Sequence, residues 1–225
     1  MKLPVIILFS SISSLLPLLS CIMTFKIDGE AFKGFKGLCI FFALAVATEI
    51  ILHVFTSNNR QSAWVFHVYT FIEYVLITSV LVSWQSKLTK FRLMRVSIPL
   101  YIVIFLFIKF SGVEGFDAGL YNNITRPLAL LLLTAFALLT LQDLWHNTSK
   151  NLAEDYRFWM LLAMALYYST SLGLFAFMYT KNQELLIALF KIHAVVNIIH
   201  NLLFTIGVFK VRAAQQVALE PASAS

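Results

Sequence analysis

The chain has 225 residues, of which 60% are hydrophobic and 12% are charged, and its net charge is +6. A soluble domain is about half apolar and a quarter charged, so this composition argues against a soluble globular protein. The positive charge suits the loops of a membrane protein, and no basic patch alternates with aromatic residues on a polar surface. We therefore expect membrane lipids as partners and exclude nucleic acid.

The apolar residues fall into seven long blocks, which predict an all-α, polytopic membrane protein with a seven-transmembrane-helix bundle. The predicted spans cover about 3–25, 38–56, 64–84, 96–110, 127–143, 157–180 and 185–209. They form a single domain over 1–210. The small polar residues of 211–225 predict a disordered cytoplasmic tail whose end resembles a cloning remnant.

The first block could pass for a secretory signal, because it is apolar and ends near Cys21. A signal peptide carries its positive charge before the apolar core, whereas here Lys26, Lys33 and Lys36 follow it. We therefore expect block 3–25 to be a retained first span.

The distribution of Lys and Arg predicts the orientation of the bundle. One side collects eleven of these residues, and the other collects five, including Lys109 and Arg126. The richer side is expected to face the cytoplasm. The N-terminus is then outside and the C-terminus inside, in a multi-pass protein of the plasma membrane.

Several polar side chains lie near the middles of the predicted spans, where an ionisable group usually faces the interior of the bundle. We predict that they form a ligand-binding or switch site at the membrane midplane. Its members are Glu49, Glu73, Tyr168, Ser169, Asn197 and Asn201. The alternative is structural: such groups often hold neighbouring helices together.

The stretch KIHAVVNIIHN, residues 191 to 201, is polar within an otherwise apolar span. At about 100° per residue, His193, Asn197, His200 and Asn201 form one stripe, and Lys191 lies on the opposite side. A lysine in a seventh helix suggests a retinal Schiff base. Because Lys191 points away from the polar stripe, we do not expect retinal.

Three histidines, His53, His67 and His193, lie at similar depth toward the outer side and are candidate zinc ligands. Glu49 and His53, four residues apart, together with His193 and His200 resemble the pattern of alkaline ceramidases and adiponectin receptors, which implies an intramembrane zinc-dependent hydrolase as one alternative. Those families pair two histidines four residues apart on the last helix, whereas His193 and His200 are seven apart. A further alternative is haem, with His53 and His193 as axial ligands.

The leading hypothesis is a receptor-like or sensory membrane protein that binds a small or lipidic ligand in the midplane site. A transporter and an accessory subunit of a membrane complex stay open, and an enzyme is not our first expectation. A signalling partner protein would dock on the basic loop 85–95, through Lys87, Lys90, Arg92 and Arg95. No cofactor is required by this hypothesis.

The segments NNRQSAWVFHVYTFIEY (58–74), FWMLLAMALYYSTSLGLF (158–175) and NIIHNLLFTIGVF (197–209) resemble a group of small bacterial seven-helix membrane proteins of uncharacterised function. This resemblance implies a location in the bacterial inner membrane. It implies no activity and assigns no site residues.

Overall fold

The computed structural model describes residues 3–24, 32–58, 63–115, 122–148, 151–177 and 182–219. Within these ranges the chain forms eight α-helices and one short 3-10 turn, and it contains no strand. The helices are α1 (Leu3–Ser13), α2 (Leu15–Thr24), α3 (Phe35–Ser57), α4 (Ala63–Ser83), α5 (Leu88–Phe110), α6 (Thr125–Asn147), α7 (Tyr156–Ala176) and α8 (Gln183–Leu219).

Seven stretches of these described residues are long and apolar enough to cross a membrane, with α1 and α2 together forming the first. This confirms the predicted all-helical class and the predicted number of stretches long and apolar enough to cross a membrane. The ends that the sequence predicts to face outside and inside are called here the outer end and the inner end. These terms follow the distribution of Lys and Arg along the sequence.

Two predicted boundaries differ from the helices by eight residues or more. α5 begins at Leu88, eight residues before the predicted start at 96, so most of the predicted basic loop is the first two turns of a helix. Lys and Arg favour helix, although a hydropathy window excludes them. α8 continues to Leu219, so much of the predicted tail at 211–225 is helical, and its last six residues lie outside the described residues.

The first span is broken at Ser14, between α1 and α2. Pro17 explains the break, because a proline has no N–H and its ring collides with the carbonyl four residues earlier, here that of Ser13. Serine hydroxyls satisfy nearby backbone oxygens: Ser13 Oγ donates to the Ser10 carbonyl and Ser14 Oγ to the Ser11 carbonyl, each at 2.6 Å.

Six of the spans close into a ring. Around it, the first span packs on α3, α3 on α4, α4 on α6, α6 on α7, α7 on α8, and α8 again on α1 and α2. α5 lies outside the ring and packs against α4 and α6. Aromatic side chains fill much of the interior, such as Phe42 and Phe204, whose ring centroids are 4.8 Å apart. The residues that point into the centre of the ring therefore come from widely separated parts of the sequence.

Candidate functional site

A buried ion pair joins α4 to α6. Arg126, the second residue of α6, donates from Nη1 to Oε2 of Glu73, and both side chains are buried. The guanidinium also lies over the Tyr69 ring, 5.7 Å from its centroid. The sequence predicts that Glu73 faces the interior of the bundle, and Glu73 is buried; it places Arg126 on the outer side of the membrane and gives no sign of its burial. A charge inside a membrane is costly and is by default a candidate functional residue.

Arg126 reaches Glu73 because α6 begins deep in the bundle. Glu73 is the eleventh residue of α4, and Asn122, just before α6, donates to Thr70 in the same helix at 2.9 Å. The Tyr101 hydroxyl, in the middle of α5, donates to the carbonyl of Thr125 at 3.1 Å. The start of α6 therefore lies about two turns along α4 from the first residue of α4. The residues just before α6 are not helical, and non-helical backbone can lie inside the membrane where protein surrounds it.

The guanidinium keeps hydrogen-bonding capacity. In the described part of the chain, its one hydrogen bond goes to Glu73, although a guanidinium has five N–H donors. The Arg126 side chain is still 9% exposed, and Glu73 Oε1 is buried with no hydrogen-bond partner in the described ranges. The pair therefore has donors that a bound molecule could use.

Tyr167 lies close enough to Arg126 and Glu73 to interact with them electrostatically, and its ring contacts the polar stripe of α8. Its ring lies 4.6 Å from the His200 ring and 5.4 Å from the His193 ring, measured between centroids. Nδ1 of His193 lies 3.4 Å from the Ser171 hydroxyl. Tyr69, Tyr167 and His193 are only partly buried, although they belong to the ring of helices. Aromatic faces with polar edges thus border the ion pair.

Comparisons with protein-family models, with curated proteins and with solved structures found no match to this chain.

The remaining predicted midplane residues form a second polar group, between the first span, α3 and α8. Asn197 donates to the Ser10 hydroxyl and Asn201 to the Ser13 hydroxyl, both at 2.8 Å. The Ser14 hydroxyl donates to Oε2 of Glu49 at 3.5 Å. These hydrogen bonds link α8 and α3 to the first span, which consists of α1 and α2. For these residues the geometry therefore favours the structural alternative.

Of the two α7 residues predicted for the site, Tyr168 is buried, whereas Ser169 is exposed on the outside of the bundle. The Ser169 hydroxyl donates to the Leu166 carbonyl in its own helix at 3.2 Å. Ser169 lies about 200° around the helix from Tyr167, so both cannot face the ring. The structure therefore does not bring Ser169 to the ion pair.

The three candidate zinc ligands lie in different surroundings. His53 is exposed on α3, His67 is fully buried beside Lys109, and His193 contacts Tyr167. Among the described residues there is no group of three or more His, Cys, Asp or Glu side chains arranged to hold a metal ion. Zinc and haem stay predictions from the sequence, without support from this arrangement.

A second charged cluster, not found by sequence reasoning, lies toward the outer end. Lys109 is buried, and its ammonium donates to His67 Nδ1 and to Glu114 Oε2, both at 2.7 Å, and to Asn122 Oδ1 at 3.3 Å. The sequence places Lys109 on the outer side of the membrane and gives no sign of its burial. Lysine has three N–H donors, and these contacts use all three.

Glu114 caps the start of α6 within this cluster. Its carboxylate accepts from the backbone N–H of Ile124 at 2.7 Å and from the Thr125 hydroxyl at 2.7 Å. Burial raises the pKa of Glu114, but the bonds from Lys109, Thr125 and Ile124 outweigh burial and hold that pKa below its ordinary value. The cluster therefore fixes the deep start of α6, and with it the position of Arg126.

At the inner end, the predicted docking residues divide into two groups. Lys90 is engaged: its ammonium donates to the Leu139 carbonyl at 3.0 Å and lies 3.7 Å from the buried Asp143 carboxylate. Lys87 lies 3.9 Å from the same carboxylate. Arg92 and Arg95 are exposed on α5. The four basic residues therefore do not form one free loop surface.

Proposed function

We propose that this chain is a receptor-like or sensory membrane protein whose small or lipidic ligand binds at the Glu73–Arg126 pair. One observation carries the proposal: an arginine buried among the spans uses a single hydrogen bond within the described chain, although its guanidinium has five N–H donors. A purely structural ion pair inside a membrane would be expected to satisfy its donors, because an unsatisfied one is costly.

The surroundings of the pair suit a ligand with both apolar and polar parts. Tyr69, Tyr167 and His193 offer ring faces together with hydroxyl and imidazole groups. Binding sites for small molecules commonly combine apolar or aromatic walls with a few polar groups. The ligand would therefore place a hydrogen-bond acceptor against Arg126 and an apolar part beside these rings.

A signal requires two packings of the bundle that the ligand stabilises differently. The ion pair links α4 to α6, and Tyr167 links α7 to α8, so a ligand at this position touches helices on both sides of the ring. The Asp143 contacts join the inner end of α6 to the start of α5. A shift of α6 would thus reach the inner end, where a partner protein would detect it.

A ligand screen tests this proposal. The purified full-length protein is screened by thermal shift against a small-molecule and lipid library, and affinities of the compounds found are measured for variants. Arg126→Gln and Tyr167→Leu should each weaken binding at least about tenfold, because each removes a contact worth on the order of 1.4 kcal/mol. Ser169→Ala is the matched control and should bind as the wild type does.

The result that contradicts the proposal is equally definite. If Arg126→Gln and Tyr167→Leu both fold and bind the wild-type ligand with unchanged affinity, the site does not lie at the ion pair.

A further inference from the structure

We infer that the start of α5 carries a binding site for an anionic phospholipid, whose phosphate lies between Arg92 and Arg95. The two arginines are three residues apart, so their side chains leave the helix one turn from each other. Both are exposed, and in the described part of the chain neither has an ion-pair partner. Arginine suits phosphate because its planar fork can donate two bonds at once.

The neighbouring acidic residue does not compete with a phosphate. Asp143 is buried, accepts from the Ser86 hydroxyl at 2.6 Å, and lies within 4 Å of the ammonium groups of Lys87 and Lys90. Its charge is therefore offset by the two lysines. These contacts also fix the turn between α4 and α5, so the first turns of α5 are held in place.

The same face of α5 continues as an apolar stripe. At about 100° per residue, Val96, Val103 and Phe110 lie on the side of Arg92. They are 62%, 63% and 80% exposed, since α5 lies outside the ring of spans. The distance from Arg95 to Val103 is about 12 Å along the helix, close to the length of one leaflet's acyl chains.

Arg95 is further oriented by an aromatic ring. Its guanidinium carbon lies 5.8 Å from the centroid of Phe91, one turn earlier in the helix. A cation held over a ring has fewer conformations to lose when it binds a phosphate. The charge, the apolar stripe and the depth on one helix face together fit a lipid better than a soluble anion.

The test is native mass spectrometry of the full-length protein in equal amounts of phosphatidylglycerol and phosphatidylcholine. The wild type should retain phosphatidylglycerol preferentially, and Arg92→Gln/Arg95→Gln should lower that preference about tenfold, since each surface cation contributes to anionic-lipid binding. The matched control is Lys210→Gln/Arg212→Gln, which removes two basic residues from the same end and should keep the preference. Arg92→Lys/Arg95→Lys should keep part of it, because charge remains without the fork.

Four results would overturn the inference. In the first, Arg92→Gln/Arg95→Gln keeps the wild-type preference for phosphatidylglycerol. In the second, this variant and Lys210→Gln/Arg212→Gln lower the preference equally, which indicates that the total positive charge and not a particular site attracts the lipid. Excess inorganic phosphate could displace the lipid, which indicates a phosphate site. This face could instead retain a protein with no preference among lipids, which restores the docking hypothesis.

Discussion

At the scale of single residues, the Glu73–Arg126 pair is the feature on which the proposed site depends. Removing one partner from a buried ion pair leaves the other charge unpaired and costs about 3–5 kcal/mol, whereas removing both is much less harmful. We therefore expect Glu73→Gln and Arg126→Gln each to destabilise the protein strongly. The double variant should lose clearly less than the sum of the two.

The free energy of unfolding in mixed micelles, measured by denaturing-detergent titration, checks this prediction. Additive effects of the two substitutions would show that the side chains do not interact.

A second prediction at this scale concerns pH. The pKa of Glu114 is lower in the folded protein than its ordinary value of 4.5, so the folded state favours the carboxylate. Its contribution to stability is therefore complete above about pH 4.5 and is lost as the pH falls through the lower folded-state pKa. Wild-type stability should decline below pH 4.5, and Glu114→Gln should decline less steeply.

Thermal unfolding at a series of pH values below 6 measures both slopes. Equal slopes for the two proteins would contradict the assignment of this carboxylate to the Lys109 cluster.

Sequence reasoning identified some buried polar residues and missed others for a physical reason. Glu73 and Asn201 lie in the middle of apolar blocks, so their burial follows from position alone. Lys109 and Arg126 lie at the ends of blocks, where a charge normally reaches the interface. Their burial depends on where α6 begins relative to α4, which no local pattern records. For the same reason, no local sequence pattern predicts which residues contact Arg126 or Lys109.

At the scale of elements, the contact between α7 and α8 gives a matched pair of glycine variants. A Cβ atom at Gly207 would come within 2.8 Å of Met160 Cγ and 3.2 Å of the Tyr156 carbonyl oxygen. A Cβ at Gly173 would meet nothing within 4 Å. Gly207→Ala should destabilise the protein by about 1–3 kcal/mol. Gly173→Ala should be neutral or stabilising by up to about 1 kcal/mol, because alanine favours helix.

Unfolding of the two variants in the same detergent provides the comparison. If Gly207→Ala is as stable as Gly173→Ala, the close approach of α7 and α8 is not present.

The sequence predicts the presence of each helix better than the residues at which the helix begins and ends. The seven apolar blocks correspond to the seven helical stretches that are long and apolar enough to cross a membrane, because long apolar runs are a strong signal in a sequence. The start of α5 was missed because a hydropathy window penalises Lys90, Arg92 and Arg95. Contacts from Asp143 and the Leu139 carbonyl stabilise that segment as helix, and they come from α6.

At the scale of the whole molecule, the orientation is still a prediction from charge. Some residues counted on the outer side, Lys109 and Arg126, are buried and do not report topology, which leaves the excess on the inner side larger. A green fluorescent protein fused after Ser225 should therefore fluoresce in the cytoplasm. An alkaline phosphatase fused there should be inactive. Active phosphatase with a dark fluorescent fusion would reverse the orientation, and with it the outer and inner ends used above.

The central claim is that a molecule other than bulk lipid occupies the ring beside Arg126. The most direct measurement replaces Tyr167 with the photo-cross-linking residue p-benzoylphenylalanine, irradiates living cells and weighs the purified protein. Leu166, which faces outward from the same helix, is the control position. We predict a discrete adduct at position 167 that is absent at position 166. The same membrane-lipid adducts at both positions, or an adduct at 166 alone, would contradict the account.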